Sequence, residues 1–247
     1  MEFEKIQNIN VEKESSWKDK IFLTFDVEWA TDEVLSYTLD ILQEKNIKAT
    51  FFCTHQTSLL DKMRENPNIE LGIHPNFNFL LNGDFRYGKN YKEVIEYYLK
   101  IVPEAVSVRS HSLTQNSSIL QAFSDFGLKY DCNLFIPLNG HIENKPFYCC
   151  NNKLIRVPYF WEDDVYCSSN EKPDINEYIS YIGPKIFDFH PIHIFLNTEN
   201  LSQYEKYKHF PSESYINKNR IGIKNFFQDL IKETNEHSDN WTNRNFV

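Results

Sequence analysis

From residue 21 onward the chain alternates between short apolar runs of β character and longer segments whose apolar residues recur every three or four positions. Residues 21–28, 47–53, 69–74, 105–111, 129–135, 154–159 and 185–190 are predicted strands. Residues 32–45, 57–65, 91–101, 116–126, 175–182 and 223–236 are predicted helices. In the first of these, Val34, Leu35, Thr38, Leu39, Ile41 and Leu42 form one face. Asn66-Pro67 stops the second helix and Gly127 caps the fourth. About seven β/α units without a break in composition predict an α/β fold. Its sheet is parallel with helices outside it, either open or closed into a barrel. Residues 1–20 are polar and read as an irregular lead-in, 21–236 as one domain, and 237–247 as a polar tail. Two longer inserts, 75–90 and 137–153, leave strand ends on one side of the sheet.

The strand ends carry the candidate chemistry. Residues i and i+2 of a strand share a face, so Asp26 pairs with Glu28, Arg109 with His111, and Asp188 with His190. His74 closes a fourth strand. In parallel α/β folds sites form at the C-terminal ends of the strands, where these residues lie. One carboxylate there could cap the following helix, but Thr31 and Asp32 already meet that need. Two carboxylates on one buried face repel unless a cation sits between them. Carboxylates, imidazoles and a guanidinium gathered in this way suit a hydrolytic metal site.

Composition narrows the classes. A net charge of −9 and a pI near 5.4 argue against binding nucleic acid or docking on anionic lipid. No apolar stretch is long enough for a membrane span, and residues 1–20 contain no apolar signal core, so a cytoplasmic location is expected. Five cysteines without CxxC spacing favour reduced thiols over a disulfide framework or thiolate zinc site. With only 7 glycines, and neither a Gly-x-Ser-x-Gly elbow nor a glycine-rich phosphate loop, serine hydrolases and nucleotide binders are disfavoured.

Thr24-Phe25-Asp26-Val27-Glu28-Trp29 followed by Ile47-Lys48-Ala49-Thr50-Phe51-Phe52 resembles the opening of the polysaccharide deacetylases (NodB-homology, carbohydrate esterase family 4), where a T-F-D-D-G strand precedes K-A-T-F-F. Gly72-Ile73-His74 falls at that family's histidine motif, Val108-Arg109 at its arginine strand, and Phe187-Asp188-Phe189-His190 at its final L-x-L-H. The Asp-x-Glu-Trp and His-Pro-Asn-Phe versions look most like a branch associated with O-antigen sugars. The resemblance implies a distorted (β/α)7 TIM-like barrel and one divalent metal ion, with zinc the first choice. It also implies removal of an acetyl group from a sugar or sugar conjugate. Carried over to this chain, Asp26 is the general base, Arg109 its orienting partner, and His190 the general acid with Asp188 fixing its tautomer. Glu28 and His74 are metal ligands. The chain departs from the pattern at Asn78, which stands four residues after His74 where a second ligand histidine is expected. Asparagine is a poor zinc ligand, so His111 is the candidate third donor. Alternatively it orients Arg109 or contacts a sugar hydroxyl. Trp29, Asn76, Asn78, Trp161 and Asp164 are candidate substrate contacts, although either tryptophan also suits the core. His193 is held in reserve as a ligand or substrate contact. Two competing readings stay open, a metal-free amidohydrolase on the same barrel and a carbohydrate-binding pseudoenzyme that lost its ion.

Overall fold

The computed structural model describes residues 1–28, 30–169 and 174–244, with side chains described as far as residue 234. Its strands are β1 (Glu2–Phe3), β2 (Lys20–Asp26), β3 (Ala49–Cys53), β4 (Ile69–Ile73), β5 (Ser107–Val108), β6 (Tyr130–Asp131), β7 (Phe147–Cys149), β8 (Leu154–Arg156), β9 (Trp161–Glu162) and β10 (Lys185–Phe189). The helices are α1 (Asp32–Glu44), α2 (Leu60–Glu65), α3 (Asn78–Leu81), α4 (Tyr91–Ile101), α5 (Ser117–Asp125), α6 (Asp163–Ser168), α7 (Ile175–Ile179), α8 (Pro191–Leu196), α9 (Leu201–Tyr207) and α10 (Ile223–Arg244). They build one curled sheet in the order β7-β8-β6-β5-β4-β3-β2-β10-β9, parallel except for β7, with β1 added beside β2. This is a mixed α/β, barrel-like sheet.

The period of two sorts each central strand between two apolar regions. Ile21, Leu23 and Phe25 of β2 face outward, as do Ala49, Phe51 and Cys53 of β3, Ile69, Leu71 and Ile73 of β4, and Phe187 and Phe189 of β10. There they join the large core beneath the helices. Phe22, Phe52, Tyr130, Cys132 and Ile186 face inward and form a second, smaller cluster inside the curl. Both faces are buried, as in other parallel sheets, so the strands read as nearly continuous apolar runs. Inward positions are polar at both ends of the strands: Thr50 and Glu70 near the N-terminal ends, and Asp26, His74 and Asp188 toward the C-terminal ends, where they create the site.

Residues 1–20 are more structured than their polar composition implied. Ile6, Ile9 and Trp17 are buried in the inner cluster. The Ile6 N–H donates to Thr50 Oγ1 at 3.1 Å and the Gln7 N–H to Glu70 Oε2 at 2.9 Å, while Tyr130 donates its hydroxyl to the Gln7 and Ile9 carbonyls. The segment thus closes the end of the curl opposite the site. Several strands are shorter than their apolar runs. β5 ends at Val108 because the chain turns aside at His111, whose N–H donates to the Pro75 carbonyl.

Candidate active site

Arg109 stands at the centre of the inward face, with no exposed surface. It follows β5, and its guanidinium lies between the rings of Phe52 and Tyr159, 4.7 and 4.5 Å from their centres. Nη1 donates to Asp26 Oδ1 at 3.0 Å and also to Asp188 Oδ1; Nη2 donates to Thr24 Oγ1 at 2.9 Å, and Nε to the Cys132 carbonyl at 3.2 Å. The planar fork therefore ties the ends of β2 and β10 to β6. Burial works against the ionised form of Asp26, but the positive charges of His74 and Arg109 outweigh it and hold the carboxyl below its usual range. Asp188 behaves oppositely. Burial pushes it well above the usual range in spite of Arg109, and the neighbouring Asp26 charge adds to the push.

Above this layer Glu28, His74 and His111 converge, with donor atoms all within 4.8 Å of one another. His74 Nε2 is 3.2 Å from Glu28 Oε1, and His111 Nδ1 meets the same oxygen. His74 Nδ1 lies 3.5 Å from Asp26 Oδ1. Burial alone would lower the His74 pKa, yet Asp26 and Glu28 raise it to about 9. Glu28 is pulled far below its normal value, against burial, by its contacts with His111 and His74. The pocket thus demands positive charge, which a proton on His74 supplies. Two imidazoles and one carboxylate are a donor set of the kind that holds catalytic zinc with one position open, so these residues fit a divalent ion.

His190 faces this group, its Nε2 3.8 Å from Glu28 Oε2. The expected contact with Asp188 is not made. Asp163 Oδ1 lies 2.6 Å from His190 Nδ1, and Asp163 Oδ2 accepts the His190 backbone N–H at 2.6 Å. Residues two apart on a strand share a face but are separated by roughly 6–7 Å along the backbone, so parity alone does not bring their side chains into contact. Asp188 instead turns to Arg109. Asp163, at the start of α6, is fully buried, and its charge raises the His190 pKa well above the ordinary imidazole value despite burial. Its signal in the sequence was the acidic run Glu162-Asp163-Asp164 after a strand.

The candidate substrate contacts separate. Trp161 is 2% exposed and stacked on Phe226 with ring centres 4.6 Å apart, so its ring belongs to the core and not to a sugar platform. Asn76 is buried, and its side chain accepts the Asn78 N–H at 3.0 Å, opening α3. The Asn78 amide donates to Ser112 Oγ at 3.2 Å. Asp164 is partly exposed and pairs with His193, Oδ1 to Nε2 at 2.8 Å. Trp29 lies outside the described residues. Sequence reasoning also missed Tyr204, Lys208 and His209. With Glu28, Thr31 and Ile192 they line a cleft of about 440 Å³ beside the convergent donors, a size suited to a small-molecule site.

The WbmS-like polysaccharide deacetylase family matches residues 23–208. The chain belongs to this family. A solved structure from Bordetella bronchiseptica, assigned as a polysaccharide deacetylase involved in O-antigen biosynthesis (WbmS), is 40% identical. The match covers 94% of this chain and 98% of that one, with a TM-score of 0.86. A structure assigned as a polysaccharide deacetylase from Mycobacterium smegmatis shares the fold at 16% identity, covering 85% of this chain and 84% of that one with a TM-score of 0.50. No curated protein matches. The protein is thus a carbohydrate deacetylase on a NodB-type (β/α) barrel. Among the described residues of this WbmS-like enzyme, no helix is long and apolar enough to cross a membrane.

Proposed function

We propose that this WbmS-like deacetylase hydrolyses the acetyl group of an N-acetylated sugar, or of a conjugate carrying one, in the cytoplasmic assembly of a surface polysaccharide of the O-antigen type, with one zinc ion as cofactor. The observation that carries the reading is the meeting of three groups of residues at one set of strand ends. These are the donors Glu28, His74 and His111, the Asp26–Arg109 pair, and the His190–Asp163 pair. A pseudoenzyme that only binds sugar has no need of all three.

Glu28, His74 and His111 would hold the ion. When bound, such an ion lowers the pKa of water from 15.7 to about 7 and polarises the acetyl carbonyl. Asp26, held ionised by its pairing with Arg109, takes a proton from the attacking water as the water's oxygen bonds to the carbonyl carbon. Arg109 fixes the carboxylate's direction. His190 enters protonated because Asp163 stabilises the imidazolium, and gives that proton to the sugar nitrogen as the C–N bond breaks. Acetate and the free amine leave. The cleft edged by Tyr204 and Lys208 lies where the sugar ring would rest.

The direct test is acetate release from acetylated amino sugars and their nucleotide- or lipid-linked forms. Chelation should abolish it and stoichiometric zinc restore it, with His111→Ala unable to retain the ion. Turnover that survives exhaustive chelation would defeat the metal assignment. A second result follows from Asp163. Because its charge raises the His190 pKa, Asp163→Asn should lower that pKa. The acid would then lose its proton at a lower pH, moving the alkaline limb of the kcat/KM profile downward. An unmoved limb would remove Asp163 from the role of holding His190 charged.

A further inference from the structure

The third donor is carried by a loop. His111 opens a single turn in which the next two residues, Ser112 and Leu113, have φ values of 54° and 51°. Neither is glycine, and two successive left-handed residues of this kind persist only where their surroundings enforce them. Two asparagines grip the turn from opposite sides. Toward the sheet, Asn133 is 1% exposed, and its Oδ1 accepts the Ser110 N–H at 2.7 Å, one residue before His111. The Asn133 side-chain amide donates in turn to Asp131 Oδ1 at 2.5 Å, and the Asn133 backbone carbonyl accepts Gln115 Nε2 at 2.6 Å. Arg156 completes the frame, donating Nη2 to Gln115 Oε1 at 2.7 Å and pairing Nε with Asp131 Oδ2. The start and the end of the turn are thus fastened to one buried network. Toward the rim, Asn78 donates to Ser112 Oγ at 3.2 Å and accepts the Thr114 hydroxyl at 3.4 Å.

We propose that Asn133 and Asn78 are positioning residues for the metal. They clamp the 110–115 turn so that His111 Nδ1 meets Glu28 and His74, and the residue at position 78 aims a donor in place of supplying one. The inference rests on the metal reading above. It adds that the ion's affinity is set by two side chains that do not belong to the donor set. Partners that orient metal donors are worth about 10–100-fold in affinity when removed.

The test is the zinc dissociation constant of purified protein, measured by competition with a chromogenic chelator, with circular dichroism and thermal melts on the same samples. Asn133→Ala removes the buried bond, and Asn78→Ala, at a partly exposed position, removes the rim bonds with less threat to folding. The expected result is a constant weaker by about 10–100-fold in each folded variant. In Asn133→Ala, acetate release should return toward the wild-type level at saturating zinc. Zinc affinity within about twofold of wild type in folded Asn78→Ala and Asn133→Ala, whatever their melting temperatures, would overturn the proposal and leave the asparagines as fold support. The wild-type and His111→Ala arms separate this from a failure of the metal reading. If wild type binds no zinc, or His111→Ala binds it equally well, the metal assignment falls first and the clamp with it.

Discussion

Replacing Asp26 with asparagine should lower kcat by about a hundred- to ten-thousand-fold, the range over which a positioned general base acts, while zinc stays bound. The expectation follows from how the site divides its carboxylates. Asp26 is not one of the three donors that converge, so its charge is not needed to complete that set. Asparagine keeps an oxygen to accept the Arg109 N–H and has nearly the same volume, so the layer around the guanidinium should persist. What is lost is the basic oxygen. Asp188→Asn is the control. Burial already pushes that carboxyl toward its neutral form, which an amide imitates, so the same chemical change should cost far less activity. Equal losses at the two positions would show that the Arg109 network, and not a base at position 26, limits the reaction. Full activity in Asp26→Asn would remove the base assignment. Zinc content measured on the same samples distinguishes loss of the base from loss of the ion.

These assignments could be read from sequence where strand periodicity alone decides the outcome. β2, β3, β4 and β10 pair with neighbours over several residues, so their parity is strict, and Asp26, His74 and Asp188 fall on the inward face as their spacing requires. Arg109 and His111 were also found by spacing. However, His111 reaches Glu28 through a turn that leaves the strand, so a shared strand face accounts for its position only in part. Parity gives a face and not a distance, which is why Asp188 was paired with His190 when Asp163 holds it. β9 is two residues long and leads straight into α6, too short a stretch for any period to place Asp163. Ile6, Ile9 and Trp17 follow neither a helical nor a strand period. Only the curvature of the sheet gives them an apolar space to fill. The cleft residues Tyr204, Lys208 and His209 lie in or just after α9, which interrupts the β/α alternation between α8 and α10.

The largest effect on stability should come from Arg109→Met. This fully buried cation touches two buried carboxylates and two aromatic rings, and removing one partner of a buried ion pair costs about 3–5 kcal/mol because the other charge is left uncompensated. Methionine fills much of the apolar space between Phe52 and Tyr159, so the loss is mainly electrostatic. Its pH dependence has a definite sign. Without Arg109, burial opposes ionisation of Asp188 even more strongly, and Asp26 loses one of the two main charges that keep it low. Both folded-state pKa values rise, while those of the unfolded chain stay near about 3.9. A carboxyl with a raised folded value contributes fully below the unfolded pKa and loses that contribution as pH rises through the folded one. Because the unfolded state is common to both proteins, the deficit of Arg109→Met relative to wild type should be smallest in acid and grow as pH rises through the interval between each group's wild-type and variant folded values, which starts below the ordinary carboxylate range for Asp26 and well above it for Asp188. Urea unfolding at a series of pH values, with chelator present so that ion binding does not enter, reads this directly. Adding Asp188→Asn removes one uncompensated carboxyl and should recover part of the loss at neutral pH. A variant as stable as wild type at pH 7, or a deficit that shrinks as pH rises, would mean that Arg109 does not stabilise these two carboxylates in the folded protein.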